Sequence, residues 1–370
     1  MAVPFIDLQR FEPDFLDRWA VKCREITEHT RFVGGPEVVA LEERLAALWQ
    51  VPQVVACANG TDALQLALRA VGVGEGDRVL IPDATFWATF EAVVNCGARP
   101  VTVDIDRQDL QMDFDLFRQA VERHRPAAAI LVHLYGWGSA RLAEFRAFCR
   151  ERQLPLIEDG AQSFGVEWQG ESLYRGALLA SISFYPAKVL GACGDAGAVS
   201  CTDPALAETL RQLGNHGRTG HYDHGLVGWN SRMSGFDGAY LNLSLDYVDA
   251  RLKSRRRIAR RYREVLGELG VETVGPPPEY VENGYLNVCR VPAGRREKIQ
   301  EHLRARGIGS GAVYPGSMSK QSGAAPFLVE AVGGGEAEAL AATVLNLPLF
   351  AYLKDEEFDE VLAAVASAKL

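Results

Sequence analysis

The feature that most constrains this chain is an alternation that begins near residue 51, where short apolar runs are separated by amphipathic stretches of helical period. Such a pattern builds a parallel sheet covered by helices, because a parallel pair of strands cannot be joined by a tight turn. The runs predict strands at residues 54–58, 78–82, 100–105, 127–133, 155–159, 180–184 and 197–201. Helical patterns separate the first five, as at 61–71, where Ala63, Leu64, Ala67, Leu68 and Val71 share an apolar face. The last two runs are joined by a glycine-rich loop without helical period, so the final strand is expected to run antiparallel. The expected architecture is α/β, with a mixed seven-stranded sheet flanked by helices.

At 370 residues the chain has room for a large domain, expected at 1–250, and a smaller C-terminal α/β domain at 251–370. After a Gly- and His-rich stretch at 214–238, a long helix is expected to start near Asn242. Its continuation at 251–263 holds eight Lys or Arg in thirteen positions and reads as a solvated helix face. Gly275, Pro276, Pro277 and Pro278 break it. Beyond them the pattern predicts a strand at 285–291 and helices at 295–306, 337–344 and 355–366.

A formal net charge of -9 disfavours nucleic acid as a partner, since that affinity rests on neutralising phosphates. The seven cysteines are scattered with no C-x-x-C pair, the pattern of reduced thiols. The first fifteen residues carry acidic side chains, and no run approaches the roughly 20 apolar residues of a membrane span. A cytoplasmic protein with no membrane partner is expected. His216, His221 and His224 lack a Cys or Glu at ligand spacing, so no metal is expected. Neither a dinucleotide fingerprint, a P-loop nor a G-x-S-x-G elbow is present.

The chemistry concentrates on three loops that leave the C-terminal ends of expected strands, where open α/β sheets bind ligands. In Ala58-Asn59-Gly60-Thr61-Asp62, a helix start offers free N–H groups and a hydroxyl to a phosphate, although Asn59 as a plain N-cap explains it equally well. In the loop from Ile157 to Gly165, Asp159 ends an apolar strand and needs a partner. That partner is an N-cap, a salt bridge or a cationic ring nitrogen of the pyridoxal phosphate kind. In the third loop Lys188 follows Tyr185-Pro186-Ala187 and precedes Val189, Leu190 and a Gly-rich turn, an apolar setting that favours a nucleophilic amine.

Together these motifs resemble the DegT-type nucleotide-sugar aminotransferases, a branch of the fold-type-I pyridoxal phosphate enzymes. The resemblance runs from Pro4-Phe5-Ile6-Asp7-Leu8 through ANGTDALQLALRA, TFWAT, VDID, VHLYG, EDGAQSFG, SFYPAKVLGACGDAGA, NHGR and GWNSRM to VLNLPLF. It implies that Lys188 carries the cofactor as a Schiff base and moves the proton, and that Asp159 faces the pyridinium nitrogen. Gln162 would bond the ring hydroxyl and Phe86 stack on the ring, with Trp87 a second candidate. Gly60, Thr61, Asp62 and Ser183 would hold the phosphate, and Asn230 would reach it from the neighbouring subunit of a homodimer. Tyr185, Arg232 and Tyr314 resemble sugar-pocket positions.

The implied reaction moves nitrogen from L-glutamate, released as 2-oxoglutarate, to a nucleotide-linked ketosugar for amino-sugar and lipopolysaccharide synthesis. Members acting at C-3 tend to read Tyr-Pro before the lysine and Leu-Gly-Ala-x-Gly-Asp after it, as this chain does; amination at C-4 is the alternative. A sugar dehydratase branch has His where Lys188 stands, and a regulatory homologue has no need of that lysine. Two segments depart from the family pattern: Ser234-Gly235-Phe236-Asp237-Gly238-Ala239 and Gly316-Ser317-Met318-Ser319.

Overall fold

Each apolar run forms a strand: β1 (Gln53–Cys57), β2 (Arg78–Pro82), β3 (Arg99–Val103), β4 (Ala128–Val132), β5 (Leu156–Asp159), β6 (Leu179–Ser183) and β7 (Gly197–Cys201). The computed structural model describes residues 2–368. All five residues of β4 are buried, as expected for a central strand covered on both faces. β7 pairs antiparallel with both β1 and β6, and the remaining pairings are parallel. The glycine-rich loop thus reverses the chain as its lack of helical period predicts.

The sheet carries an eighth strand, β8 (Ala331–Val332), which adds to β3 and corrects the expected seven. Buried Asp104, just past β3, recruits it. Its carboxylate accepts the N–H groups of Gly335, Glu336 and Ala337 at 2.6, 2.9 and 2.8 Å, capping the helix Glu336–Thr343. Its own N–H donates to Val332 O. No local period announces a two-residue strand held by a carboxylate more than two hundred positions away.

The helix expected from Asn242 is two helices, α2 (Gly235–Leu245) and α3 (Val248–Glu268). α2 starts early because Ser234 Oγ accepts the Asp237 N–H. The break falls where tertiary partners pull on the chain: Asp246 binds Arg18 and Arg44, and the Tyr247 hydroxyl donates to Asp14. The first departing segment is therefore a capped helix start. A Cβ at Gly238 would lie 3.0 Å from Val38, so glycine lets α2 pack closely on the N-terminal helix Pro36–Trp49.

The basic run on α3 is also more than a solvated face. Arg255 is buried, Arg251 pairs with Glu12, and Arg256 donates to the carbonyls of Glu282 and Gly165. Beyond α3, an antiparallel sheet joins Glu272–Val274, Val288–Arg290 and Val344–Leu345. Val3, Ile258, Tyr262, Leu303, Phe350 and Phe358 belong to the core beside it. The strand expected at 285–291 is thus confined to Val288–Arg290, and the residues before it turn toward the large sheet. Among the described residues, no helix is long and apolar enough to cross a membrane.

Candidate active site

Loops from the C-terminal ends of the strands converge on a cavity of about 730 Å³. After β1, Asn59 caps α1 (Gly60–Ala70) by accepting the Asp62 N–H at 2.8 Å, a bond worth about 1 kcal/mol. No group among the described residues accepts from the N–H groups of Gly60 or Thr61, so both are free for an anion. Gly60 abuts β6: a Cβ there would lie 2.6 Å from Ser183 Cβ. Asp62 lines the cavity too, but its N–H is committed to Asn59.

Alternation along β5 sends its two terminal carboxylates to opposite faces of the sheet. Glu158 is fully buried and bound by both Arg146 and His133. Burial alone would raise its carboxyl, yet the Arg146 charge and these hydrogen bonds hold it at about 2. Asp159, 5% exposed, faces the cavity and has no such ion pair among the described residues. It accepts the Ala161 N–H at 3.0 Å and the Thr89 hydroxyl at 3.2 Å. Burial lifts its carboxyl above the ordinary value, opposed by the Ala161 N–H, the Lys188 charge and Thr89. A cation facing this carboxylate would restore its full preference for the ionised form.

Further along the same loop, Gln162 Oε1 accepts the Tyr135 N–H at 2.7 Å and Nε2 donates to the Tyr314 hydroxyl at 2.9 Å. After β6 the chain turns tightly: Lys188 N donates to Tyr185 O, and Ala192 N to Phe184 O. Any side chain at Gly191 would collide with Pro186 O, which explains the glycine. The turn presents Lys188, half-buried, with Nζ donating to the Tyr285 hydroxyl at 3.3 Å. The second departing segment is pinned to the sheet edge, since Asp83 accepts both the N–H and the hydroxyl of Ser319. The tilted rings of Phe86 and Tyr314 lie 5.7 Å apart in the cavity wall.

The structure therefore brings together Gly60, Thr61, Asp62, Phe86, Asp159, Gln162, Ser183, Tyr185, Lys188 and Tyr314 of the expected set. Trp87 is outside the lining, its ring stacked on Phe90 at 4.9 Å, so Phe86 is the aromatic residue of that pair in the cavity. Asn230 and Arg232 are exposed and off this chain's cavity, with the Arg232 guanidinium on the side-chain carbonyls of Asn230 and Asn215. His224 Nδ1 is hydrogen-bonded to His216 O, and among the described residues no group of His, Cys, Asp and Glu could hold a metal ion.

The sequence reading missed Thr85, Thr89 and Tyr285. The two threonines bond to each other at 2.8 Å, and their i, i+4 spacing within TFWAT was the available signal. Tyr285 had none, because it reaches the site by the fold alone. As a site for pyridoxal phosphate the donor set is coherent. It combines two free helix N–H groups beside a serine hydroxyl, a buried carboxylate with no ion pair among the described residues, and an amine in the same cavity.

Comparison with known proteins agrees. Residues 17–366 match the DegT/DnrJ/EryC1/StrS aminotransferase family. The UDP-2-acetamido-2-deoxy-3-oxo-D-glucuronate aminotransferase of Pseudomonas aeruginosa is 34% identical over 368 residues, covering 99% of this chain and 100% of the relative. The dTDP-3-amino-3,4,6-trideoxy-alpha-D-glucose transaminase of Streptomyces venezuelae is 33% identical over 364 residues, with 98% and 95% covered. The crystal structure of S. venezuelae DesV in complex with a ketimine intermediate superposes with a TM-score of 0.94 at 32% identity, covering 100% of this chain and 98% of that one. With its lysine, buried carboxylate and helix N-terminus in one cavity, this chain belongs to the DegT/DnrJ/EryC1/StrS aminotransferase family, whose members are pyridoxal phosphate-dependent enzymes.

Proposed function

We propose that this protein transfers the amino group of L-glutamate to C-3 of a UDP- or dTDP-linked ketosugar, for amino-sugar and glycoconjugate synthesis. The observation that carries the reading is one cavity holding both the Lys188 amine and the buried Asp159 carboxylate. Bound pyridoxal phosphate supplies the electron sink for removal of an α-proton and stores the nitrogen between two half-reactions. Lys188 Nζ accepts the glutamate Cα proton in the first half-reaction and delivers a proton to the aminated sugar carbon in the second. Asp159 would hold the positive ring nitrogen, and Gln162 would bond the ring hydroxyl. The N–H groups of Gly60 and Thr61, with the Ser183 hydroxyl, would hold the phosphate; Phe86 would pack on the ring, and Tyr185 and Tyr314 would contact the sugar.

The position of amination is supported by the Tyr185-Pro186 and Leu190-to-Asp195 flanks of the lysine and by the C-3 chemistry in the names of the two relatives above. A rigid turn matters here because about one ångström of misplacement costs roughly a hundredfold in rate. Incubation with glutamate and a panel of UDP- and dTDP-linked sugars that includes both 3-keto and 4-keto forms should give 3-amino products by NMR. Nitrogen at C-4 would refute the assignment and leave the aminotransferase reading standing.

The charge balance of the cavity supports a homodimer with shared sites. Among the described residues its lining has four carboxylates, Asp62, Glu91, Asp159 and Asp195, and one cation, Lys188. A cofactor phosphate, a diphosphate and a dicarboxylate need more positive charge than that. Exposed Arg232, beside Asn230, supplies it in trans under this reading. Co-expressed Lys188→Ala and Arg232→Ala subunits should then form mixed dimers with one intact site, giving about a quarter of wild-type turnover overall. Activity no higher than that of the two separate variants would exclude sharing.

A further inference from the structure

We infer that Tyr285 is a positioning residue for the Lys188 amine, set by a turn that also fixes the loop carrying Asp159 and Gln162. The inference rests on the reading of Lys188 as the proton carrier. Lys188 Nζ lies 3.3 Å from the Tyr285 hydroxyl and 5.2 Å from the centre of its ring. This is the amine's one hydrogen bond among the described residues. Asp159 attracts the same ammonium across the cavity. An amine that collapsed onto that carboxylate would neutralise the group meant for the ring nitrogen and leave the position from which it reaches substrate carbon. Tyr285 holds it from the other side with an uncharged acceptor that releases it readily.

The turn is built for this task. Asn283 is fully buried, and its Oδ1 accepts the Tyr285 N–H at 2.8 Å. Its Nδ2 donates to the carbonyls of Gln162 and Phe164 at 2.8 and 2.9 Å. One side chain therefore sets the tyrosine and the cofactor-facing loop in a common frame. Between them Gly284 has φ +66, and a Cβ there would lie 2.7 Å from the Arg255 backbone, so only glycine passes α3 so closely. The Arg255 guanidinium, without an ion pair among the described residues, donates to Gly284 O at 3.3 Å and braces the turn from behind. Unpaired buried guanidinium is costly, which is consistent with a retained positional role.

The test uses Tyr285→Phe, which keeps the ring and removes only the hydroxyl. In the holoenzyme, kcat for the glutamate half-reaction should fall roughly ten- to a hundredfold while KM for glutamate stays within about twofold. In cofactor-stripped enzyme, covalent capture of added pyridoxal phosphate, followed by its visible absorbance, should slow about tenfold at unchanged final occupancy. Borohydride trapping and mass spectrometry should locate the attachment at Lys188 in both proteins. Wild-type kcat and capture rate in Tyr285→Phe, with attachment at Lys188, would overturn the positioning role and spare the parent reading. Attachment elsewhere in the wild-type protein would overturn both. A rise in KM alone would assign Tyr285 to substrate contact and overturn the inference.

Discussion

Lys188→Ala is expected to fold normally and to lose turnover by about 10⁴-fold or more, the upper range for removing a general acid–base and greater still when the group is also the nucleophile. Stability should hold because Lys188 is half-buried while its neighbours Val189 and Leu190 carry the packing of the turn. The backbone bonds that shape the turn do not involve the amine. Steady-state transamination with glutamate, alongside thermal unfolding of the same preparation, checks both halves of the expectation. Near-wild-type turnover would sink the mechanism, and collapse of the fold would show that the lysine is structural.

Asp159→Asn should keep the fold and bind cofactor, yet slow the glutamate half-reaction by roughly 10² to 10³-fold, as when one preorganised electrostatic partner is lost. An amide oxygen can still accept the Ala161 N–H, and its neighbour the Thr89 hydroxyl can bond to either end of the group. What disappears is negative charge in a buried position, where an opposing cation is weakly screened. Single-turnover kinetics by stopped flow separates this from binding. An unchanged rate would reduce Asp159 to a cap on the Gly160 turn.

The residues of the site differ in how they can be read from sequence. Asn59-Gly60-Thr61, Asp159-Gly160-Ala161-Gln162 and the Lys188 loop are contiguous, and each follows a strand whose apolar run is itself local. Once the alternation predicts a parallel sheet, their loops must emerge on the same edge, so their convergence follows from chain direction. Tyr285 and Tyr314 obey no such rule. Both come from the region after α3. Tyr285 sits in a turn that Asn283 ties to the distant carbonyls of Gln162 and Phe164, and Tyr314 accepts from Gln162. Trp87 and Phe86 are adjacent in sequence, and only packing decides that one stacks on Phe90 while the other enters the cavity wall.

By itself the sequence determined the α/β class, the seven principal strands, the antiparallel sense of β7 and the loops of the Lys188 cavity. Those are consequences of hydrophobic period and of how far a connection can reach, both properties of neighbouring residues. Tertiary structure alone decided the eighth strand, the break between α2 and α3, and the burial of Arg255 within a run that looks uniformly solvated. Each depends on a partner far along the chain: Asp104 for β8, Arg18 and Arg44 at the break, and Gly284 and Leu349 for Arg255. A single capping or carbonyl bond of about 1 kcal/mol leaves no periodic trace in sequence, yet it suffices to choose between local conformations of nearly equal energy.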